Sequence, residues 1–283
     1  MSYQAEIQKA IRDFPDFPVG SQRILQLINE PEVDYEELEK AMRYDPGLTA
    51  NVLRLVNSAQ FGVKRTIESL HRAFVLLGEK RIFELVMTHV SSKLFDVEMR
   101  GYQLQPQDFL RHSLWVAVGA EQFAKTLDLQ TSETLFTAGL LHDVGKLVMD
   151  PFLVQERETM QAVAADVSED SFEQREKAVF GINHNEAGAM LFEHWNLPPE
   201  IAAAIRYHHT PEDAPDHQQL VKVVHIADMQ AYVESVGTGI EGVHYHLSQQ
   251  AFEDLDLAEE TVEYVASQTV DQMKEIMQLL ETQ

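Results

Sequence analysis

The 283-residue sequence predicts an all-α fold. Apolar residues recur at spacings of three and four in most of its segments, as they do on one face of a helix. Helix-capping residues and Gly or Pro breaks separate these segments. Strand-like alternation is weak, and neither Asn-Gly nor Asp-Gly, the strongest hairpin signals, occurs. Hydrophobic residues make up 45% of the chain, which is enough to build a core.

The first helices are indicated by their capping residues. Asp34 can cap a helix that starts near Tyr35, with Glu37 as its capping-box partner. Asp45 followed by Pro46 is typical of an N-cap and a first helical residue. We therefore expect one helix to start near Tyr35 and another to start at Pro46.

Glycine-containing breaks divide the rest of the chain. Gly78 separates two apolar helical segments, residues 69–78 and 80–95. Residues 101–107, GYQLQPQ, form a polar break, and residues 235–246 form a second one with three glycines. A long amphipathic C-terminal segment follows. We expect three parts: an N-terminal helical subdomain (1–103), a metal-binding helical subdomain (104–235) and C-terminal closing helices (236–283).

The charge and the apolar content exclude several function classes. A formal charge of −24 repels nucleic acid phosphates and anionic lipids, so direct DNA binding and membrane binding are not expected. No apolar run approaches the roughly 20 residues that cross a membrane. The N-terminus lacks a signal-peptide core and the chain lacks cysteine, which together favour a cytoplasmic protein.

Five predicted helix faces are apolar, yet each presents an imidazole, a carboxylate or both. Any one of these groups alone could be a hydrogen-bonded core residue or a surface residue. Five separate buried groups would need five separate hydrogen-bonding partners, whereas a divalent transition ion satisfies them together. The side chains concerned are His112, the pair His142 and Asp143, His184, the pair His208 and His209, and Asp228.

The motifs around these residues resemble a known family. HDVGK at 142–146, HNEAG at 184–188, IRYHH at 205–209 and HIADMQA at 225–231 resemble the HD superfamily of metal-dependent phosphohydrolases. Three N-terminal strings narrow the resemblance to the HDOD family, the HD-related output domain of bacterial signalling proteins. They are FPDFPVGSQRILQLI (14–28), YDPGLTANVLRLVNSAQFG (44–62) and SLHRAFVLLGEKRI (69–82). The resemblance covers about residues 14–235.

The resemblance implies a fold and a ligand set. An N-terminal helical subdomain would pack on an HD-like helical bundle. One ion would be held by His112, His142, Asp143 and Asp228. A second would be held by Asp143 as a bridge with His184, His208 and His209. Asp143 and Lys146 would be the catalytic residues, with Lys146 beside the substrate phosphate.

Two further residues are candidates for supporting roles. Arg206 lies three residues before His209 and could reach a phosphate. His225 lies three residues before Asp228 and could support it by a hydrogen bond. The expected cofactor is a divalent transition metal, two ions per chain, and the ligand types do not choose among iron, manganese, zinc and nickel.

Two functions remain open from the sequence. One is a metal-dependent phosphohydrolase, a phosphomonoesterase or phosphodiesterase, that acts on a phosphorylated small molecule or nucleotide. The other is a non-catalytic HDOD module with a structural or sensory metal site and a signalling protein as partner. The GYP element of cyclic-dinucleotide phosphodiesterases is not recognisable after His209, so cyclic-di-GMP is not an expected substrate.

Overall fold

The computed structural model describes residues 3–15, 24, 27, 33–42, 46–57, 63, 66–129, 134–165, 171–195, 199–240 and 245–280. Within these residues every regular element is helical, and the extended pairing is limited to an isolated antiparallel bridge between Met99 and Leu104. The predicted all-α fold is confirmed. Among the helices described, none has the length and apolar character needed to cross a membrane.

Fourteen α-helices are described. They are α1 (Tyr3–Asp13), α2 (Tyr35–Met42), α3 (Pro46–Val56), α4 (Leu70–Phe95), α5 (Asp108–Thr126), α6 (Leu135–Leu141), α7 (Gly145–Gln155), α8 (Arg157–Ala165), α9 (Phe172–Phe180), α10 (His184–His194), α11 (Pro199–Tyr207), α12 (Gln218–Val233), α13 (Gln249–Asp254) and α14 (Glu259–Leu280). A short 3₁₀ helix, Pro211–Asp213, lies between α11 and α12.

The predicted start of α2 is confirmed in atomic detail. The Asp34 carboxylate accepts hydrogen bonds from the backbone N–H groups of Glu36 and Glu37, at 2.9 Å and 3.1 Å. These are two of the donors that a helix N-terminus leaves without an intrahelical partner. Helix α3 begins at Pro46, as expected, whereas its expected cap Asp45 lies outside the described residues.

The predicted break at Gly78 is a kink inside α4. Gly78 has a φ of 73° and a ψ of 165°, and helical turns continue on both sides of it. A residue with a Cβ rarely adopts this backbone conformation, whereas glycine adopts it readily. The two predicted segments therefore form one kinked element.

The predicted helix that carries His142 and Asp143 is interrupted at these two residues. Helix α6 ends at Leu141 and α7 begins at Gly145, and a turn comprising residues 142–144 joins them. The backbone stays in the right-handed helical region, but its hydrogen bonds span three residues, from the Lys146 N–H to the Asp143 carbonyl for example. This tighter winding eclipses side chains three positions apart.

The chain divides into two compact units. One comprises Met1–Pro15 and Phe95–Met273, and here α5 packs against α6 and α12, while α10 packs against α7, α11 and α1. The other comprises Asp16–Leu94 and Lys274–Gln283, and here α2 packs against α3. The three-part division at residues 103 and 235 stays a prediction. Most of the 14–28 motif and residues 241–244 of the second break lie outside the described residues.

Candidate metal centre

Seven predicted ligand side chains meet in the larger unit. They come from α5, the α6–α7 turn, the first residue of α10, the end of α11 and α12: His112, His142, Asp143, His184, His208, His209 and Asp228. Every one of these side chains is between 0% and 3% exposed. The helix packing thus encloses five imidazoles and two carboxylates.

The seven side chains form two groups. In each group, one potential ligand atom per residue lies within 4.8 Å of all the others. The first group comprises His112, His142 and Asp228, and the second comprises Asp143, His184, His208 and His209.

Asp143 faces both groups, one oxygen to each. Its Oδ1 atom lies 3.5 Å from Nε2 of His184 and 3.5 Å from Nε2 of His208. Its Oδ2 atom lies 3.3 Å from Nε2 of His142 and 3.6 Å from Nε2 of His112. The carboxylate is therefore oriented as a bridge between the two groups.

Asp228 is the carboxylate of the first group. Its Oδ1 atom lies 3.1 Å from Nε2 of His112 and 3.5 Å from Nε2 of His142. Its other oxygen lies 3.7 Å from Nδ1 of His209. His112 and His142 thus each lie within 3.6 Å of both the Asp228 and the Asp143 carboxylates.

Three of the imidazoles have their outward nitrogen anchored on a backbone carbonyl. The Nδ1–oxygen distances are 3.0 Å from His112 to Val236, 2.7 Å from His142 to Gly139 and 2.9 Å from His208 to Ile205. A carbonyl only accepts hydrogen bonds, so each Nδ1 donates, and in the neutral ring the lone pair lies on Nε2. The anchoring therefore turns the ligating nitrogen of each ring inward.

The inward atoms of the cluster lack hydrogen-bond partners among the described residues. They are Nε2 of His112, His142, His184 and His208, both ring nitrogens of His209, Oδ1 of Asp143 and both carboxylate oxygens of Asp228. Buried polar atoms without partners are costly, and so many at one point are exceptional. Imidazole nitrogen and carboxylate oxygen are ligands of divalent transition ions, so the residues present fit a divalent metal ion.

The buried carboxylates and imidazoles of the cluster shift one another's pKa values. Burial lowers the pKa of His142, but the carboxylates of Asp143 and Asp228 outweigh this and raise it to about 10. Burial lowers the pKa of His208 to about 4, although Asp143 opposes the shift. Burial alone would raise the pKa of Asp143, yet Lys146 and His142 hold it well below its usual range.

Lys146 lies beside the bridging carboxylate. Its Nζ atom is 2.6 Å from Oδ2 of Asp143 and 5.6 Å from the centre of the Tyr102 ring. The side chain is 1% exposed. The tight α6–α7 turn explains this pairing, since it stacks residue 146 over residue 143.

Comparison with known proteins identifies the family. A family model described as the HDOD domain matches residues 14–211. The chain belongs to the HDOD family. A protein of Treponema pallidum (strain Nichols) without an assigned function is 28% identical over 232 residues, 80% of this chain. This HDOD chain spans 43% of the length of that relative.

Solved structures share the fold of this HDOD protein. An HDOD domain protein of unknown function from Geobacter sulfurreducens has a TM-score of 0.67 at 25% identity, covering 97% of this chain and 96% of its own. A Shewanella amazonensis SB2B protein, provisionally named a phosphohydrolase, has a TM-score of 0.65 at 22% identity. That match covers 94% of this chain and 98% of the other.

Two predicted supporting residues make contacts other than those expected. His225 does not hydrogen-bond Asp228: its Nδ1 donates to the His208 carbonyl at 2.6 Å, and its Nε2 accepts from the Ser248 N–H at 2.9 Å. It therefore anchors the backbone of a ligand rather than a carboxylate. The Arg206 guanidinium pairs with the exposed Glu193 carboxylate at 3.1 Å.

Two residues that contact the cluster, Glu176 and Tyr102, are not among those predicted from the sequence. Glu176 accepts a hydrogen bond from Nδ1 of His184, and the Tyr102 hydroxyl donates to the other Glu176 oxygen. One signal was available. Glu176 lies four residues from both Phe172 and Phe180, on the apolar stripe of α9, where a carboxylate calls for a buried partner.

Proposed function

We propose that this HDOD protein is a metal-dependent phosphohydrolase that acts on a phosphoester, with two divalent ions per chain. One ion would be held by His112, His142, Asp228 and Oδ2 of Asp143. The other would be held by His184, His208, His209 and Oδ1 of Asp143. The observation that carries the proposal is the bridging orientation of Asp143 between two groups of unpartnered ligand atoms.

The charge of the site supports an anionic substrate. Two divalent ions and two aspartates leave a net charge of about +2 if the histidines are neutral, as ligation requires. Lys146 adds one more positive charge at the bridging carboxylate. A phosphorylated small molecule or nucleotide matches this charge, whereas the rest of the chain, at −24 overall, repels anions.

The protein residues have distinct roles in this proposal. When bound, the ions supply Lewis-acid stabilisation of a phosphoester and its leaving oxygen. Asp143 fixes the spacing between the two positions, and Lys146 donates a hydrogen bond to the substrate phosphate. Arg206 would need to leave Glu193 to reach the same phosphate, so we give it a secondary role.

The second candidate function is a regulatory module with a structural or sensory metal site. The observation that favours it is the burial of the ligand side chains, each at most 3% exposed, because a buried and fully ligated metal is typical of a structural site. In that case a signalling protein would be the partner of the chain, and the metal would set its conformation.

Metal content and turnover together test the proposal. Protein purified without chelator should contain up to two transition ions by elemental analysis, and should hydrolyse a generic phosphodiester or phosphomonoester with added manganese. Asp143→Ala should lose both properties. Asp254→Asn, which alters an exposed carboxylate paired with Lys222, serves as the control and should keep both. Two ions without turnover above the Asp143→Ala background would favour the regulatory module, and an inability to bind metal would refute both functions.

Lys146→Met separates a substrate role of Lys146 from a structural one. The methionine side chain has nearly the same volume but no charge, so metal content should be kept, since a cation no longer opposes the ions. Turnover should fall by about 100-fold, as when one transition-state donor is removed. The control is Lys222→Met, at a lysine that contacts Asp254 instead of the cluster. Loss of metal from Lys146→Met would show that the lysine holds the site together.

A further inference from the structure

We propose that Glu176 positions His184 for the second ion, and that Tyr102 in turn fixes Glu176. This inference rests on the proposed function only in assuming that His184 holds an ion. Neither Glu176 nor Tyr102 belongs to the two groups of candidate ligands, so their role is to orient a ligand and to tune its basicity.

The contacts between Glu176 and His184 are close and fully buried. Oε2 of Glu176 lies 2.6 Å from Nδ1 of His184 and 3.0 Å from the His184 backbone nitrogen. The Tyr102 hydroxyl donates to Oε1 of the same carboxylate. All three side chains are 0% exposed, so water does not compete for these hydrogen bonds.

The direction of each hydrogen bond follows from the chemistry of the groups. The Glu176 carboxylate meets three donors: the phenol of Tyr102, the backbone N–H of His184 and the ring Nδ1–H of His184. A deprotonated carboxylate accepts all three, and no described contact asks it to donate. Because Nδ1 of His184 is the donor, the lone pair of the neutral ring lies on Nε2, which points to Asp143 at 3.5 Å.

His184 differs from the other anchored imidazoles in the charge of its partner. His112, His142 and His208 each meet a neutral backbone carbonyl at Nδ1. A carboxylate forms a charge-assisted hydrogen bond, which is stronger and makes the ring a better metal ligand. Glu176 therefore places an additional negative charge at Nδ1 of His184, one of the ligands in the second group.

Tyr102 is itself held in place by α7. Oδ1 of Asp150 accepts hydrogen bonds from the backbone N–H groups of Gly101, at 2.7 Å, and Tyr102, at 3.3 Å. A Cβ atom at Gly101 would lie 2.6 Å from the Asp150 carbonyl oxygen, so the turn approaches the helix as closely as a glycine permits. The phenol is thus presented to Glu176 by a fixed backbone.

The test measures the affinity of each ion in the full-length chain. Glu176→Gln keeps the shape and an accepting oxygen but removes the charge behind His184. We expect one of the two ions to bind about 10- to 100-fold more weakly, as is typical when the partner of a metal-bound histidine is altered. The other ion should keep its affinity. Competition titration with a chromophoric chelator resolves the two steps, and Co²⁺ absorption reports the ligand geometry of each.

Two more variants separate positioning from a purely structural role. Tyr102→Phe leaves the carboxylate in place and should weaken the same ion by a smaller factor. Asp254→Asn is the control, because Asp254 bonds to Lys222 and Gln250 instead of the cluster, and it should leave both affinities unchanged. Unfolding with chelator present measures how far each variant destabilises the metal-free protein.

The outcomes are distinguishable from a failure of the proposed function. If wild-type protein binds no ion, the proposed function fails. If wild type binds two ions and Glu176→Gln binds both with wild-type affinity, the positioning role alone is wrong. Equal weakening of both ions, in parallel with a loss of metal-free stability, would likewise overturn it, because Glu176 would then act only by supporting the start of α10.

Discussion

The protonation of the buried imidazoles differs between the metal-free and the metal-bound protein. In the metal-free protein burial lowers the pKa of His142, but Asp143 and Asp228 raise it to about 10. Burial also lowers the pKa of His184, but Glu176 and Asp143 raise it overall. The His142 ring is then protonated at neutral pH, and its proton acts as a counterion for the buried carboxylates. Burial lowers the pKa of His208 to about 4, so its ring is neutral.

Metal binding at pH 7 should therefore release protons. Ligation needs neutral imidazole, so His142 must lose the proton that its raised pKa retains, giving about one proton per chain from this ring. The release should disappear as the pH rises above 10, where His142 is already neutral. Calorimetric titration in buffers of different ionisation enthalpy measures this number. Binding enthalpies that do not vary with the buffer would contradict the prediction.

At the scale of helices, the cluster depends on a close approach of α7 and α10. A Cβ atom at Gly145 would lie 1.9 Å from the His184 carbonyl oxygen and 2.5 Å from the Gly188 nitrogen. These are backbone atoms, which cannot move aside as a flexible side chain can. The two glycines thus let the helix that follows Asp143 contact the helix that begins at His184.

Gly145→Ala should destabilise the protein by at least about 3 kcal/mol, because overpacking against backbone forces the helices apart. Gly119→Ala is the control: it also lies inside a helix, but its added Cβ would meet Ala227 at 3.5 Å, an ordinary contact. There the higher helix propensity of alanine should add about 0.5–1 kcal/mol of stability. Chemical denaturation of both variants with chelator present measures the difference, and similar stabilities would count against this account of the helix contact.

The sequence predicts the helices better than the contacts between them. Helical periodicity and capping residues such as Asp34 depend on residues that are close in the sequence, so the sequence alone predicts them. The turn that interrupts the helix at His142 is not predicted from the sequence, because it is stabilised by packing against α10. The contact of Glu176 is not predicted for a similar reason. Its partner His184 is eight residues away, beyond the end of α9. Contacts of this kind depend on how the chain folds between the two residues.

At the scale of the whole chain, the enclosure of the cluster limits exchange with solvent. The His209 ring stacks on the half-buried Tyr245 ring, with centroids 3.9 Å apart and planes 15° apart. Val236 also belongs to the stretch after α12, and its carbonyl oxygen lies 3.0 Å from Nδ1 of His112. We therefore expect an ion or a chelator to reach the centre when some of these contacts open. Release is then governed by the local stability of this region.

Removal of bound metal by a chelator should therefore be limited by opening of the protein. In wild type the release rate should level off as the chelator concentration rises, because opening of the protein then limits the rate. Tyr245→Ala removes the ring stacked on His209 and should raise the plateau rate by about tenfold, which corresponds to roughly 1.4 kcal/mol of lost contact. The control is Tyr264→Ala, at a tyrosine on α14 that is 55% exposed, and its plateau should match wild type. Stopped-flow absorbance with Co²⁺-loaded protein follows the release. A rate that stays proportional to chelator concentration, equal in all three proteins, would mean that the centre is open to solvent.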